Sequence, residues 1–206
     1  MVSQLNLSRA GSATAIQADF NHIDAIEPLA QSIIAEFGRL DVLVNNASMF
    51  YPTEIGEASQ AQWDEIMNSN LRAAFFLSQA LSGELIERSG AIVNIADTHA
   101  DSPLSKHSIY CIAKAGVKTM TKSLAMELAP RARVNAVSPG AILWPASLQD
   151  SSDPEVIIAR DKILAQIPLG KLGETEHIAD AVWFLADSAS YVTGQIIKVD
   201  GGRNPS

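Results

Sequence analysis

The amino-acid sequence predicts a doubly wound α/β fold built on a parallel sheet, and three observations carry that prediction. Short runs of β-branched and apolar residues alternate with long amphipathic stretches along the 206 residues, a pattern typical of βαβ units. Several of the short runs end in small or polar residues, as strands at a ligand-binding rim do. No repeat, low-complexity tract or long linker divides the chain, so residues 1–206 are interpreted as one domain.

The element boundaries follow from periodicity and from stop signals. The predicted strands are Ala13–Ala18, Asp41–Val44, Ala91–Ile95, Val134–Val137 and Gln195–Val199. The predicted helices are Ile23–Phe37, Ser59–Leu85, Lys106–Leu128, Pro154–Gln166 and Glu174–Leu185. Gly38 and Pro130 stop two of these helices, and the long second helix is expected to bend or split near Asn68–Asn70. The run Ala91–Ile95 is apolar except at Asn94, which predicts a strand buried on both faces.

Composition and charge exclude several classes of protein. The chain is 47% hydrophobic and 18% charged, which is too apolar for a disordered protein. Its net charge is 15 − 23 = −8, and an acidic protein is a poor partner for nucleic acid. No apolar run approaches the roughly 18 residues of a membrane span, and the N-terminus does not resemble a signal peptide. A cytoplasmic protein without a membrane or nucleic-acid partner is therefore expected.

Cysteine and histidine usage argues against a metal centre. Cys111 is the single cysteine, which rules out an internal disulfide and any multi-cysteine metal site. The four histidines show no metal-ligand spacing. His99 lies close enough to the candidate site described below to contact a substrate, although a solvated position is the simpler interpretation. No metal is therefore predicted.

Tyr110 and Lys114 form the sharpest pair of candidate catalytic residues. A spacing of four places both side chains on one face of the predicted Lys106–Leu128 helix. An ammonium group there would favour the phenolate and lower the pKa of the tyrosine towards a value useful for proton transfer. The spacing alone is weak evidence, because Tyr-x-x-x-Lys arises often by chance.

The predicted sheet supplies the context for that pair. Asn45-Asn46-Ala47 ends one strand, Ala96-Asp97-Thr98 follows a second, and Pro139-Gly140 ends a third. Ligands bind at the carboxyl ends of parallel strands, so these residues are expected to meet at one rim. An ordinary turn explains each strand end taken singly, but it is a poor explanation for all of them together.

These residues carry a resemblance to the short-chain dehydrogenase/reductase family. The matching motifs run from about Ala13 to Gly202 and are Asn45-Asn46-Ala47, Asn70, Tyr110-x-x-x-Lys114, Asn135-x-x-x-Pro139-Gly140, Tyr191-Val192-Thr193-Gly194 and Val199-Asp200-Gly201-Gly202. Within the family the sequence is most similar to pteridine reductases, with dihydromonapterin reductases close by. Asp97 stands where most members place a catalytic serine and pteridine reductases carry aspartate.

The resemblance implies a set of catalytic roles. Tyr110 would act in proton donation, and Lys114 would hold the nicotinamide ribose of NADPH. Asp97 would pair with Tyr110 to deliver a proton to a ring nitrogen of a dihydropterin or dihydrofolate. Asn70 would support Lys114 through a water.

It also implies binding roles. Phe50 would stack the pterin ring against the nicotinamide, and Ser48 would bond both cofactor and substrate. Asp19 would meet the adenine edge, while Asn46 and Ala47 would line the adenosine ribose. Pro139 and Gly140 would border the cofactor, and Trp144 would either line the substrate loop or anchor it. Phe50 could equally be a core aromatic residue.

Asp97 also has a physical interpretation that does not depend on resemblance. Carbonyl reduction builds negative charge on oxygen, which favours a neutral donor over a carboxylate. Imine reduction needs a proton at nitrogen, which a carboxyl group bonded to a tyrosine can relay. The simpler interpretation of Asp97 is a loop-capping residue after a strand.

The usual phosphate-binding turn of a dinucleotide fold is missing from the sequence pattern. Such a turn is rich in glycine and leads into a helix, whereas Gly11 and Gly38 are the only glycines before residue 41. A β-α-β piece of roughly 35–45 residues is therefore expected to be absent. Its strands would separate Ala13–Ala18 from Asp41–Val44, so Val42–Val44 is expected to form an exposed apolar edge.

The resulting hypothesis is an NADPH-dependent reductase of a pterin or folate, assembled as a homotetramer as members of the family commonly are. One alternative is a reductase of carbonyl substrates such as 3-oxoacyl thioesters. Another is a catalytically dead chain retained as an oligomerisation partner.

Overall fold

The computed structural model describes residues 1–145, 148–149 and 152–204. Four parallel strands form one sheet in the order β1-β2-β3-β4. The strands are β1 (Val42–Asn45), β2 (Ala91–Ile95), β3 (Arg133–Pro139) and β4 (Ile196–Val199). The helices are α1 (Val2–Ser8), α2 (Ile26–Phe37), α3 (Gln60–Met67), α4 (Ala73–Glu87), α5 (Ser108–Leu128), α6 (Pro154–Leu164) and α7 (Thr175–Trp183). The doubly wound parallel α/β prediction is confirmed.

Apolar residues fill both faces of the central strands. Ile92 and Val134 pack into the larger core cluster, which gathers side chains of α2, α4 and α5. Val93 and Val137 point to the opposite face, where Leu185 and Ala189 cover them. All four of these valine and isoleucine side chains are fully buried. This two-sided burial explains why β2 shows a continuous apolar run rather than an alternating one.

The predicted strand Ala13–Ala18 is wrong, because that segment is irregular in the structure. Its backbone has no strand beside it in the described part of the chain, and an unpaired strand gains no ladder hydrogen bonds. The exposed edge is confirmed at β1, which among the described residues pairs only with β2. Val42 and Val44 are 37% and 42% exposed there.

The predicted break in the long second helix is confirmed. Asn68–Arg72 forms a π-helical turn between α3 and α4, a distortion often found at functional sites. Ser59 caps α3 with a full capping box. The first predicted helix is observed as a 3-10 turn over Ile23–Ala25 followed by α2. Gly38 ends α2 in the left-handed conformation, with φ 70°.

Several helix boundaries differ from prediction, among them the end of α6 at Leu164, and one helix was not predicted. Helix α5 begins at Ser108 because Lys106 has a left-handed backbone, with φ 63°. Helix α7 ends in a second π-helical turn, Phe184–Ser188. The short helix α1 has no buried residue, so no apolar face predicts it. Across the described ranges, no helix is both long and apolar enough to span a bilayer.

Candidate active site

A cleft of about 550 Å³ opens at the carboxyl ends of the strands. Six of the residues predicted for the site line it together: Phe50, Asp97, Tyr110, Pro139, Gly140 and Trp144. They come from the loops after β1, β2 and β3 and from the first turns of α5. The convergence expected from the three strand ends is therefore present in the fold.

Tyr110 and Asp97 are hydrogen-bonded to each other at the floor of this cleft. The Tyr110 hydroxyl donates to Asp97 Oδ2 at 2.6 Å. The other carboxylate oxygen, Oδ1, accepts the backbone N–H of His99 at 2.7 Å and caps a short 3-10 turn. Asp97 thus acts as a loop cap and as the partner of Tyr110 at the same time, so the two sequence interpretations are compatible.

The ionisation of Tyr110 differs from the expectation. Burial raises the pKa of the Tyr110 phenol, and the negative charge and hydrogen bond of Asp97 raise it further. The Lys114 ammonium lies 5.8 Å from the ring centroid and does not reverse this effect. Tyr110 is therefore a neutral phenol whose proton points at Asp97, and the predicted lowering of its pKa is wrong.

Lys114 is buried one helical turn beyond Tyr110. Its ammonium donates to the carbonyl of Ile95 at 2.8 Å, at the end of β2. Lys114 is only 3% exposed. Burial lowers the pKa of Lys114 to about 8, against an opposing effect of the Asp97 charge. The ammonium has three N–H donors, and this bond uses one of them.

This buried charge predicts a pH-dependent stability difference between the wild type and Lys114→Met. Below pH 8 the wild type holds a buried cation, at a cost on the order of 3 kcal/mol for a pKa displaced from 10.5 to about 8. Between these two pKa values the unfolded chain binds the proton more strongly, so wild-type stability rises with pH. The methionine variant has no such proton and no such rise.

Urea unfolding at pH 7, 8, 9 and 10 measures this difference. The stability of the wild type relative to Lys114→Met is expected to increase steadily from pH 8 to pH 10. A difference that stays constant over this range would contradict burial of a titrating ammonium at this position. Other groups titrate in both proteins and cancel in the comparison.

The π-helical turn places Asn70 against the loop after β1. Its side-chain amide donates to the carbonyls of Met49 and Ile66, both at 2.9 Å. Its Oδ1 accepts the Ser48 hydroxyl at 2.6 Å. Asn70 is 2% exposed and therefore works mainly as a brace that holds Ser48 and Met49. In this structure it contacts the loop after β1, and its predicted support of Lys114 through a water stays a prediction.

Phe50 forms an aromatic wall of the cleft. Its ring is stacked on His107 with centroids 4.6 Å apart and meets Tyr110 edge-on at 4.8 Å. The residue is 52% exposed, which argues against a core role. The exposed part of the Phe50 ring borders the cleft beside Tyr110, where a flat substrate ring could pack against it.

The loop after β3 supplies the opposite wall. Gly140 lies so close to Asp200 that a Cβ built on it would be 2.5 Å from the Asp200 Cβ, so only glycine fits between the ends of β3 and β4. Farther along, Trp144 lines the cleft while Arg160 of α6 lies 5.0 Å from its ring centroid. Trp144 therefore lies where either of the roles considered for it would place it, and its contact with substrate stays a prediction.

The remaining predicted cofactor residues lie at the carboxyl end of β1. Asn46 and Ala47 line a small hollow of about 70 Å³ together with Phe20 and Ile95. Asp19, next to Phe20, is exposed and accepts the backbone N–H of Asn21. Asp19 does not line the main cleft, so its place at an adenine edge stays a prediction.

A chain of buried and partly buried polar side chains connects these strand ends to α5. Asn45 donates to Asn94 at 2.8 Å, and Asn94 donates in turn to Thr121 at 2.9 Å. Asn45 also donates to Ser78 of α4. Satisfied buried bonds of this kind fix relative positions, so they hold β1 and β2 in register with the helix that carries Tyr110.

Comparison with known proteins places the chain in a family. A family model described as enoyl-(acyl carrier protein) reductase matches residues 3–204. A 3-oxoacyl-[acyl-carrier-protein] reductase of Thermotoga maritima is 40% identical over 182 residues, which cover 87% of this chain and 72% of that protein. A reductase of the same name from Staphylococcus aureus is 37% identical over 191 residues, covering 91% and 76%.

A solved structure agrees with these matches. A short-chain dehydrogenase/reductase from Brucella melitensis, titled glucose/ribitol dehydrogenase, superposes with a TM-score of 0.85 at 30% identity, covering 98% of this chain and 80% of that one. The chain belongs to the short-chain dehydrogenase/reductase family. It is therefore an oxidoreductase by family.

The relatives named above do not support the narrower pteridine reductase grouping predicted from the sequence. Their names point to 3-oxoacyl thioesters, the carbonyl substrate held as an alternative. The family assignment is thus confirmed, whereas the substrate of this chain stays a proposal.

Two residues of this family member's site escaped the sequence analysis. His107 is the N-cap residue of α5, three residues before Tyr110, but its stacking on Phe50 depends on a distant loop. Arg203 lines the cleft from the turn that follows β4. No local sequence pattern predicts that position. In the described ranges, no group of three or more histidine, cysteine or acidic residues is arranged to hold a metal ion.

Proposed function

We propose that the chain is an NADPH-dependent reductase that transfers a hydride to a C=N bond of a dihydropterin or dihydrofolate ring. The observation that carries the proposal is the 2.6 Å bond between the Tyr110 hydroxyl and Asp97. Reduction of such a bond needs a proton at the ring nitrogen, whose lone pair accepts it as the hydride reaches carbon, so little negative charge develops there. A phenol and a carboxyl group in hydrogen-bond contact can supply it.

The residues present fit the nicotinamide half of the cofactor. Two N–H donors of the Lys114 ammonium remain after its bond to Ile95, and ribose hydroxyls are suitable acceptors. The Tyr110 hydroxyl and the 139–140 turn lie on the same rim. When bound, the cofactor supplies the hydride. No glycine-rich turn leads into a helix among the described residues before β1, so no residue is assigned to its pyrophosphate.

The protein residues would then control the proton. Tyr110 holds it at Oη, within hydrogen-bond distance of Asp97 Oδ2. Because the pKa of Tyr110 is raised by burial and by Asp97, the phenol stays protonated until a substrate nitrogen accepts its proton. The His99 N–H bond fixes the carboxyl group in the orientation that meets Tyr110. Phe50 would position the flat ring over these two groups.

A second candidate substrate is a 3-oxoacyl thioester, and the named relatives favour it. Here the Tyr110 phenol would protonate the alkoxide formed at the substrate oxygen. The carboxylate of Asp97 is unfavourable beside developing negative charge on oxygen. The ring substrate is therefore preferred on the geometry of the site.

One experiment separates these candidates. NADPH oxidation is followed with dihydrobiopterin and with a 3-oxoacyl thioester, after NADPH binding has been titrated directly. Turnover of the ring substrate is expected. Turnover of the thioester alone would replace the first proposal with the second. Absence of NADPH binding would support the catalytically dead chain held as an alternative.

We also propose that the chain self-associates as a homotetramer. Large apolar side chains are exposed on the outer faces of α3, α4 and α7: Trp63, Phe75, Phe76 and Trp183 are 41%, 38%, 37% and 68% exposed. Exposed aromatic residues in such number are typical of a surface that another chain covers. The faces lie on different sides of the sheet, as an assembly of more than two copies requires.

A further inference from the structure

A large basic cavity lies beside the substrate cleft, between α5 and the edge strand β4. It measures about 860 Å³, and its cationic lining is Lys118, Lys122, Lys198 and Arg203. Asp101 is the one carboxylate among its lining residues. We call these four cations the basic groove. Its surplus of three positive charges stands out in a chain whose net charge is −8.

Two of the four cations, Lys118 and Lys198, are held in place, whereas Lys122 is exposed. Lys118 contacts Asp101 at 2.5 Å, and Lys198 lies 3.6 Å from the same carboxylate. Lys198 also donates to the carbonyl of Asn204 at 2.9 Å. The two lysine side chains are only 13% and 25% exposed. One carboxylate shared by two partly buried ammonium groups leaves positive charge that an anion would neutralise.

Arg203 joins the basic groove to the active site, because it lines both cavities. Helix α5 provides a second connection. Tyr110, Lys114, Lys118 and Lys122 recur at every fourth residue, a row that winds slowly around the helix over about 18 Å. A ligand that reacts at Tyr110 can therefore extend past Arg203 towards Lys122.

We propose that the basic groove binds an anionic tail of the substrate while the reacting end lies at Tyr110. This inference rests on the proposed reductase function and adds the class of substrate: one that carries negative charge at a distance from the reacting bond. Carboxylates of a glutamyl tail on a folate-type ring fit this description, and so do the phosphates of a coenzyme A thioester. Both are acceptors for lysine and arginine.

The kinetic test uses substrate pairs that differ in the tail. Dihydrofolate is compared with dihydrobiopterin, and a 3-oxoacyl coenzyme A with the 3-oxoacyl thioester of N-acetylcysteamine. In the variants Lys122→Gln and Arg203→Gln, KM for the tailed member is expected to rise by about fivefold, since one surface ion pair contributes up to about 1 kcal/mol. KM for the tailless member stays unchanged in Lys122→Gln, whose side chain does not line the substrate cleft. The pair that responds identifies the tail as carboxylate or phosphate.

Arg131→Gln is the matched control, since it removes one exposed positive charge at the amino end of β3, away from the rim. An equal rise in KM for this variant would mean that overall charge, and not the groove, attracts the substrate. Equal KM values for wild type and groove variants with every tailed substrate would overturn the proposal.

A direct binding measurement tests the basic groove independently of the proposed reductase function. Binding of p-aminobenzoylglutamate and of adenosine 3′,5′-bisphosphate is measured by calorimetry at low salt, without cofactor or turnover. At least one is expected to bind the wild type and to bind Lys122→Gln several-fold more weakly. If the wild type reduces neither ring nor thioester but binds a tail fragment through the groove, only the reaction assignment fails. If neither fragment binds, the groove assignment is wrong whatever the turnover.

Discussion

Replacing Tyr110 with phenylalanine is expected to lower kcat by about a hundredfold or more, with NADPH binding retained. The change removes a single hydroxyl, which is the donor to Asp97 at the floor of the cleft. A positioned general acid contributes typically about 10²–10⁴-fold to a reaction rate. The measurement is single-turnover NADPH oxidation with saturating dihydropterin, together with a cofactor titration of the variant.

Tyr51→Phe is the control for this change. Tyr51 also donates its hydroxyl to a carboxylate, that of Glu65, at 2.6 Å. The pKa of Tyr51 is raised to about 12 by burial and by Glu65, and the residue is not among those lining the cleft. Both variants lose a phenol–carboxylate bond, but only Tyr110→Phe should lose turnover. Turnover of Tyr110→Phe at the wild-type rate would show that Tyr110 does not donate the proton.

The second large effect is expected at Asp97. Asp97→Ser should lower dihydropterin turnover by about a hundredfold, because a serine hydroxyl cannot relay a proton as a carboxyl group does. The same change should raise turnover of a 3-oxoacyl thioester, since it replaces a carboxylate by a neutral donor beside the developing alkoxide. The measured quantity is the ratio of kcat/KM values for the two substrates. This ratio should shift strongly towards the thioester.

Asp97→Asn tests whether charge and proton transfer, rather than local structure, are responsible. The asparagine side chain keeps an oxygen that can accept the His99 N–H and can still meet the Tyr110 hydroxyl. It cannot exchange a proton at neutral pH. Its dihydropterin turnover should therefore fall as far as that of Asp97→Ser while its unfolding free energy stays nearer to that of wild type. Unchanged dihydropterin turnover in Asp97→Ser would contradict the role assigned to this residue.

Much of the architecture was predictable because the signals are local. The apolar run of β2 between polar turns indicates a buried strand, and its bounds, Ala91–Ile95, are confirmed. The break near Asn68–Asn70 is confirmed as a π-helical turn. Ala13–Ala18 has strand-like residues, but a strand also needs a neighbour. That requirement is not visible in the segment itself, and in the described part of the chain no strand pairs with it.

For the site, the sequence by itself determined which residue types end each strand and that Tyr110 and Lys114 share a helix face. It could not determine their ionisation. The pKa of Tyr110 is raised because burial and Asp97 outweigh an ammonium whose bond goes to Ile95. The contact of Phe50 with His107 joins residues 57 positions apart in number, 107 − 50. Arg203 lines both the cleft and the basic groove, and this position also depends on the folded chain.

The sequence determines some of these properties and not others because they depend on residues at different distances along the chain. Helix spacing and strand patterning repeat within a few residues, so the sequence alone determined the fold class, the rim and the pair of candidate catalytic groups. Burial, charge separation and cavity shape arise where segments distant in the chain meet. Only the tertiary structure therefore decided that Asp97 accepts the hydrogen bond of the Tyr110 hydroxyl, that Lys114 is largely desolvated, and that a basic groove adjoins the candidate active site of an acidic protein.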